Sequence, residues 1–412
     1  VIPASDTAAE QILSANLDLI GSLPVKRLIK ALLRRAFAPA TIAQDPPTPS
    51  VARNAPTATP PPPVREPEVP FEGLPVVRVE VDGSTPYLRR ERFIITELVY
   101  FVLLPNETFS ILDGGARGGP SDPRWRSIGD DRLVIYGFEV EDEECETLNR
   151  DAAARGLRHH YYPRALWSSE GPLTIYLNKA SGGVSAFAQN VDLTNRWKFQ
   201  NAKDKFYSRD IFYPIGETTV PATTVDEWAR KNNVAEIDFF KLNVQSAELE
   251  ILKGARDILG SVLGLELEMS FVESYLGRPF FSDLDVFLRG KGFHFFDLLG
   301  LHNMGRAHSP VTSMHTPGLN PYQGQLIEAH GLYFRDPIAS KLDLSAGPTP
   351  SKLLKLASVA EIYGQVEYAF ELLGWLPDRL DELGRGEEAR RIRDVRDAAF
   401  RLYQRYLWAP AV

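Results

Sequence analysis

Short apolar runs that stop at a charged residue recur through the middle of this chain. Phe109–Leu112 ends at Asp113, Leu133–Phe138 ends at Glu139, and Phe239–Val244 carries Lys241 within it. Apolar runs bounded by turn residues are the mark of buried strands. Val262–Met269, Phe293–Leu299 and Gly331–Phe334 read the same way, and Val76–Val81 alternates as a short strand ahead of them. Phe93–Leu104 is almost continuously apolar and predicts a buried helix or strand, while Ala247–Leu259 reads as a helix. Towards the end, Ile392, Val395, Ala399, Leu402 and Tyr406 recur at three and four residues, as one face of a helix does, within a helical stretch over 351–408. Arg390, Arg391, Arg393, Arg396, Arg401 and Arg405 surround that stripe, either as a contact for an acidic partner or as a solvated face balanced by nearby acids.

The start of the chain follows another pattern. Residues 7–21 and 24–37 show helical spacing through Ile12, Leu13, Leu17 and Ile20, then Leu28, Ile29, Leu32 and Leu33, with Pro24 dividing them. The second helix sets Lys26, Arg27, Lys30, Arg34 and Arg35 against its apolar stripe. Such a face suits a protein groove, the chain's own surface or an anionic membrane. Residues 39–70 hold 11 of the 31 prolines, which favours polyproline II over packing and makes this stretch a linker. The organisation expected is a helical segment at 1–38, a linker at 39–70, a catalytic-type domain at 71–340 and a helical region at 341–412.

Composition narrows the class. A net charge of −8 argues against nucleic acid as the main partner. The single cysteine, Cys145, leaves no internal disulfide and fits a reducing compartment, so a cytoplasmic location is expected, with peripheral membrane association left open. The chain begins at Val1, which is compatible with a processed start.

The strongest chemistry lies in residues 109–119, FSILDGGARGG. A strand, an acid and a glycine turn are followed by Ser121-Asp122-Pro123, which resembles a helix start with Asp122 as N-cap. This is how a nucleotide-like ligand is met at the carboxyl end of a central strand. The glycines do not have the dinucleotide-binding spacing, and no P-loop lysine follows. Asp113 would repel a pyrophosphate and suit a cation, and S-adenosylmethionine is a cationic nucleoside without phosphate. Glu139, at the tip of the next strand, can accept both hydroxyls of a ribose; its plainer reading is a solvated strand end.

The strings ILDGGARGG, YGFEVEDEECETLN, TTVPATTVDEW, DFFKLNVQSAELEILKGA and GQLIEAHGLYFRDP occur in this order. Together they resemble the FkbM family of S-adenosylmethionine-dependent methyltransferases over about residues 108–337. The resemblance implies an α/β, Rossmann-like class I methyltransferase fold, with a seven-stranded sheet whose last strand is antiparallel. It also implies O-methylation of a hydroxyl on a sugar, polyketide or similar small molecule. By position, Asp113, Gly114 and Gly115 would meet the methionyl part of the cofactor and Glu139 its ribose. Ala165 and Leu166, closing a third strand over His159–Trp167, would lie near the adenine. The chain departs from the family pattern K-[IL]-D-V-[EQ]-G-A-E at Asn243 and Ser246, within Lys241-Leu242-Asn243-Val244-Gln245-Ser246-Ala247-Glu248. The amide keeps hydrogen bonding but cannot act as a base. A serine at a glycine turn costs about 1 kcal/mol where the backbone needs positive φ.

His302, His308, His315 and His330 fall in or near a Gly/Pro-rich loop between the last two strands. Their spacing matches no zinc pattern, so no metal is expected. They read as a general base, with His302 the candidate, or as polar residues that shape a pocket. Glu266 and Glu268 share one strand face and would reach the substrate or pair with Lys241. Two function classes follow. One is an active methyltransferase using Asn243, Lys241 and His302, acting on a hydroxyl-bearing small molecule or glycan. The other is an impaired methyltransferase-like scaffold working through its two added ends, with residues 1–37 binding a protein partner or membrane surface.

Overall fold

The computed structural model describes residues 92–120, 123–198, 212–307, 324–342, 344 and 349–408. The two N-terminal amphipathic segments, the Pro-rich stretch, the expected strand Val76–Val81, and Asp122, His308 and His315 lie outside the described residues.

In chain order the strands are β1 (Phe109–Gly114), β2 (Leu133–Glu139), β3 (Arg158–Pro163), β4 (Ala165–Leu166), β5 (Gly171–Asn178), β6 (Trp197–Lys198), β7 (Pro214–Thr223), β8 (Phe239–Leu242), β9 (Gly264–Ser270), β10 (Phe293–Arg306) and β11 (Gln325–Arg335). The main sheet has the order β3-β2-β1-β8-β9-β11-β10, with the two-residue β6 beyond β10. Neighbours from β3 to β9 are parallel. β11, the last strand, runs antiparallel to both β9 and β10. The expected α/β sheet of seven strands with an antiparallel last strand is therefore present, widened at one edge by β6. A second sheet has the order β4-β7-β5.

Several elements differ from the sequence reading for identifiable reasons. The expected third strand is two: the main sheet's part stops at Pro163, which has no N–H to continue a ladder, and Ala165–Leu166 pairs with β7. β10 and β11 outrun their apolar stretches because the outer half of β11 alternates between buried and part-exposed positions and that of β10 is mostly part-exposed or exposed. Pro123 opens a 3₁₀ helix, Pro123–Ile128, rather than a long α-helix.

The α-helices of five or more residues among those described are α1 (Ile94–Leu98), α2 (Asp142–Ala154), α3 (Val225–Lys231), α4 (Glu248–Lys253), α5 (Phe281–Gly290), α6 (Pro350–Ile362), α7 (Val366–Glu382) and α8 (Gly386–Trp408). Phe93–Leu104 is helical, since α1 continues as a π-helical turn through Val99–Leu103. In α2, Cys145 is buried and donates its thiol to the carbonyl oxygen of Glu139 at 3.5 Å. Burial, with Glu139 close by, pushes that thiol up to about 11. Two threonines start helices as N-caps: Thr224 accepts from Glu227 N at 3.0 Å, and Thr349, before Pro350, accepts from Lys352 N at 3.4 Å. α4 is shorter than predicted. It stops at Gly254, where a Cβ would come 2.3 Å from the carbonyl oxygen of Trp167.

Strand alternation divides the core into two layers. Phe109, Ile111 and Phe239 pack with α1, α6, α7 and α8 on one face, while Leu112, Phe240 and Leu242 pack with α3, α4 and α5 on the other. The C-terminal helices are thus a layer of the sheet's own core, not a region apart, and no packing boundary falls at residue 341. Ile392, Val395 and Ala399 are fully buried, which bears out the helical stripe. The arginines opposite are balanced locally: Arg390 pairs with Asp394, Arg393 with Asp378 and Asp381, and Arg396 with Asp397.

Candidate active site

The chain builds β1, β2 and β3 in one direction across the sheet, then returns to place β8 on the other side of β1. Such a reversal leaves a crevice beyond the carboxyl ends of the two adjacent strands. Here Asp113 lies opposite Lys241 and Gly114 opposite Leu242. Asn243 N donates to Gly114 O at 3.0 Å, and Gly115 N and Ala116 N both donate to Phe138 O at 3.1 and 3.0 Å. The loop is therefore fastened to the ends of both flanking strands. Gly115 has φ +80, and a Cβ there would stand 2.1 Å from the carbonyl oxygen of Asn243. Only glycine permits that approach.

A cavity of about 570 Å³ opens at this point. Gly114, Gly115, Glu139, Ala165, Leu166 and Asn243 all line it, so six of the nine residues nominated from the sequence come together. Glu139 is 8% exposed. Its Oε1 accepts from Val140 N at 2.8 Å and Glu141 N at 3.3 Å, while Oε2 faces Arg117 Nε at 3.7 Å. Arg117 also pairs with Glu141 and is half-exposed at the cavity rim. One oxygen of Glu139 is thus fixed by backbone, and the other faces only a half-exposed cation at 3.7 Å. That suits a carboxylate that must accept from an incoming diol.

The remaining three nominees lie elsewhere. Asp113 and Lys241 form an ion pair at 3.0 Å, and neither belongs to the cavity wall. Burial raises the Asp113 carboxyl, and the Lys241 ammonium partly offsets this. Burial alone would lower Lys241, but attraction to Asp113 and hydrogen bonding with it, with Glu266 and Glu268 adding to the field, leave it raised. The pair lies beneath the glycine loop, outside the cavity lining. His302 is not on a loop. The long β10 carries it, its Nδ1 lies 2.8 Å from Glu328 Oε1, and its half-exposed side chain is absent from the cavity wall. His330 sits on β11 with Nδ1 2.8 Å from Glu266 Oε1. Glu266 therefore pairs with His330 and with the Tyr363 hydroxyl at 2.6 Å, not with Lys241. Among the described residues no cluster of His, Cys, Asp and Glu could hold a metal ion.

The sequence reading missed the opposite wall. Leu173, Ile175 and Leu177 alternate along β5 and face the cavity, with Val220 of β7 opposite Leu173. The period-two pattern was there to be read, but nothing in it said that this sheet would fold over the glycine loop. Also unassigned was Gln245, which lines the cavity beside Asn243. Gln245 and Ser246 both have positive φ, 53° and 94°, so the turn does demand the conformation for which the family pattern uses glycine.

Residues 113–295 match the family model for the methyltransferase FkbM domain. This stretch is an FkbM methyltransferase domain. It spans the glycine loop, the cavity wall and the strands β2 to β9 that carry them. Among solved structures, a methyltransferase FkbM from Methylobacillus flagellatus KT is 15% identical, covering 57% of this chain and 47% of that one at a TM-score of 0.29. The chain thus spans about half the length of that relative. The StiE O-MT, residues 961–1257, is 13% identical over 65% of this chain and 78% of that one, TM-score 0.29. The Aeropyrum pernix fibrillarin in complex with natively bound S-adenosyl-L-methionine is 13% identical over 57% and 72%, TM-score 0.27. No curated protein matches the chain significantly. No helix among the described residues is long and apolar enough to cross a membrane.

Proposed function

We propose that the chain binds S-adenosylmethionine in the 570 Å³ cavity and transfers its methyl group to a hydroxyl of a small molecule. The observation that carries this reading is the convergence of Gly114, Gly115, Glu139 and Asn243 on one cavity at the reversal of the sheet. The donor set fits the group. Glu139 offers acceptor oxygens for the ribose diol, Ala165 and Leu166 give an apolar seat for the adenine, and Gly115 lets the loop backbone approach closely. The bound cofactor would supply an electrophilic methyl on a sulfonium.

The protein's own contribution is alignment and exclusion of water. Asn243 stands just beyond the end of β8 with an amide group able to hold an attacking hydroxyl. The aliphatic panel of Leu173, Ile175, Leu177 and Val220 covers the cavity from the far side and favours an acceptor with apolar carbon, as a polyketide has, over a bare sugar. The proton of that hydroxyl leaves late and needs no strong base in the wall.

Calorimetry with S-adenosylmethionine and S-adenosylhomocysteine tests the reading. Binding is expected in the wild type and a loss of at least tenfold in Glu139→Ala, since a carboxylate hydrogen bond is worth about 1.5–3 kcal/mol. No heat from a folded wild-type protein would sink it. The amide at Asn243 and the left-handed Ser246 support a second reading, a scaffold that binds cofactor without turnover. Binding with no methyl transfer to any of a broad set of hydroxyl acceptors would favour that one.

A further inference from the structure

Behind Asn243 runs a chain of polar groups that the proposed reaction does not use. The Gln245 side-chain nitrogen lies 3.2 Å from Asn243 Oδ1 and 2.9 Å from Glu268 Oε1. The Gln245 side-chain oxygen lies 3.1 Å from the Tyr275 hydroxyl, which also donates to Gly183 O at 2.9 Å. Glu268 is 2% exposed, and its Oε2 has no hydrogen-bond partner among the described residues. Tyr275 is fully buried, while Asn243 and Gln245 are part-buried at the cavity wall.

Two hydrogen arrangements fit these heavy-atom positions, because an amide turned by half a turn exchanges its nitrogen and oxygen at the same points. With Glu268 ionised, Gln245 donates one hydrogen to it and the other to Asn243 Oδ1. Asn243 then turns its NH₂ towards the cavity. The single Tyr275 hydrogen is shared between Gly183 O and Gln245 Oε1. With the Glu268 proton on Oε1, the oxygen that faces Gln245, both amides are reversed. Glu268 donates to the Gln245 oxygen, which also accepts from the Asn243 nitrogen. The Gln245 nitrogen donates to the Tyr275 oxygen, and Tyr275 donates to Gly183 O without competition. Tyr275 then both donates and accepts, and Asn243 presents its carbonyl oxygen to the cavity, while each amide nitrogen uses one of its two hydrogens within the chain.

We propose that Glu268 and Gln245 are positioning residues that set which end of the Asn243 amide faces the ligand, so that a proton taken from solvent by Glu268 turns the Asn243 oxygen into the cavity. This rests on the cofactor reading above. An outward oxygen suits a sulfonium or an attacking hydroxyl, whereas an outward NH₂ opposes a cation. The surroundings of Glu268 favour the protonated form. Burial is the largest influence, and Glu328 on β11 and Glu248 at the start of α4 add repulsion. Arg278, after β9, opposes them, as does the hydrogen bond from Gln245. His330 lies opposite Glu268 in the β9–β11 register, but its ring is engaged with Glu266, and His302 with Glu328. Together these raise Glu268 well above the ordinary carboxyl range. The family pattern's aspartate offers an oxygen here at any pH; in this chain the oxygen would be conditional.

The test is the ratio of affinities for S-adenosylmethionine and S-adenosylhomocysteine from pH 5 to 9, by calorimetry. The two probes share their amino-acid part and differ in the sulfonium, so the ratio cancels titrations common to both. In the wild type the preference for S-adenosylmethionine is expected to fall about tenfold as pH rises, roughly the value of one hydrogen bond to a charged group. In Glu268→Gln the neutral amide keeps donating to Gln245, and the low-pH ratio should persist throughout. In Gln245→Met, which cuts the chain but leaves Glu268, the ratio should also lose its pH dependence. A flat wild-type ratio, or a pH dependence that survives both substitutions in folded protein, would overturn the switch while leaving the cofactor reading standing. Failure of both probes to bind folded wild type would remove the two together.

Discussion

Ser246 concentrates in one residue the departure of this turn from the FkbM pattern that residues 113–295 match. Its φ of 94° lies outside the comfortable range for a side chain, it is 1% exposed, and its hydroxyl has no hydrogen-bond partner among the described residues. Ser246→Gly removes both faults and is expected to stabilise the fold by about 1 kcal/mol, read from the urea midpoint at unchanged slope. Loss of stability would mean that the serine hydroxyl has a role in the native turn. Asn243 is the companion case. Asn243→Asp places an oxygen at the cavity whatever the state of Glu268, so it should raise affinity for S-adenosylmethionine at high pH and flatten its pH dependence. A drop in affinity would show that an outward N–H is what the ligand needs. Both departures were legible in the string KLNVQSAELE. The orientation of the amide was not, because it depends on Glu268 and Tyr275, far away in sequence and adjacent only after β8 and β9 pair.

Elements announced themselves in proportion to how fully they are buried. β1, β2 and β8 are covered on both faces and showed as apolar runs; β10 and β11, partly exposed along their outer halves, showed only their inner ends. β5 and β7 gave no such run, since their outer faces are polar, and so the cavity's far wall stayed hidden. The β9–β11 pairing also carries a stability prediction. Burial alone would raise Glu266, but the hydrogen bond and charge of His330 and the hydrogen bond from Tyr363 hold it down at about 2. A carboxyl depressed in the folded state contributes stability that is complete above the ordinary glutamate value and lost as pH falls towards 2. Glu266→Gln is therefore expected to cost about 3 kcal/mol at neutral pH and almost nothing near pH 2, as measured by denaturant melts across that window. An equal cost at both ends would show that Glu266 acts by packing rather than by charge.

At the scale of the molecule, the two ends of the chain are expected to behave differently. α6 to α8 cover one face of the sheet, and Leu356, Val359, Leu373, Ile392 and Val395 are completely buried there. Within the same layer, Glu361 of α6 accepts from Ile95 N at 2.9 Å and Thr96 N at 2.6 Å, fastening the first turn of α1. Removal of residues 350–408 should leave an insoluble or molten chain, seen as loss of near-ultraviolet dichroism. Removal of residues 1–70 should leave the sheet folded and its ligand binding intact, while association with a protein partner or anionic vesicles through residues 1–37 is lost. Unfolding of that shorter chain would make residues 1–70 part of the folded core. The sequence pattern showed the helical stripe of α8 correctly but not what it covers, because amphipathic spacing names a buried face without naming its neighbour.

The thiol of Cys145, bonded to the carbonyl of Glu139 and held near 11, sits directly behind the proposed ribose contact. Burial shields this sulfur and its raised pKa lowers its thiolate fraction, so alkylation of this chain's single cysteine is expected to report local opening of α2 at that strand tip. Saturating S-adenosylmethionine should slow that alkylation, and mass spectrometry of the labelled protein would report cofactor capture without any knowledge of the methyl acceptor.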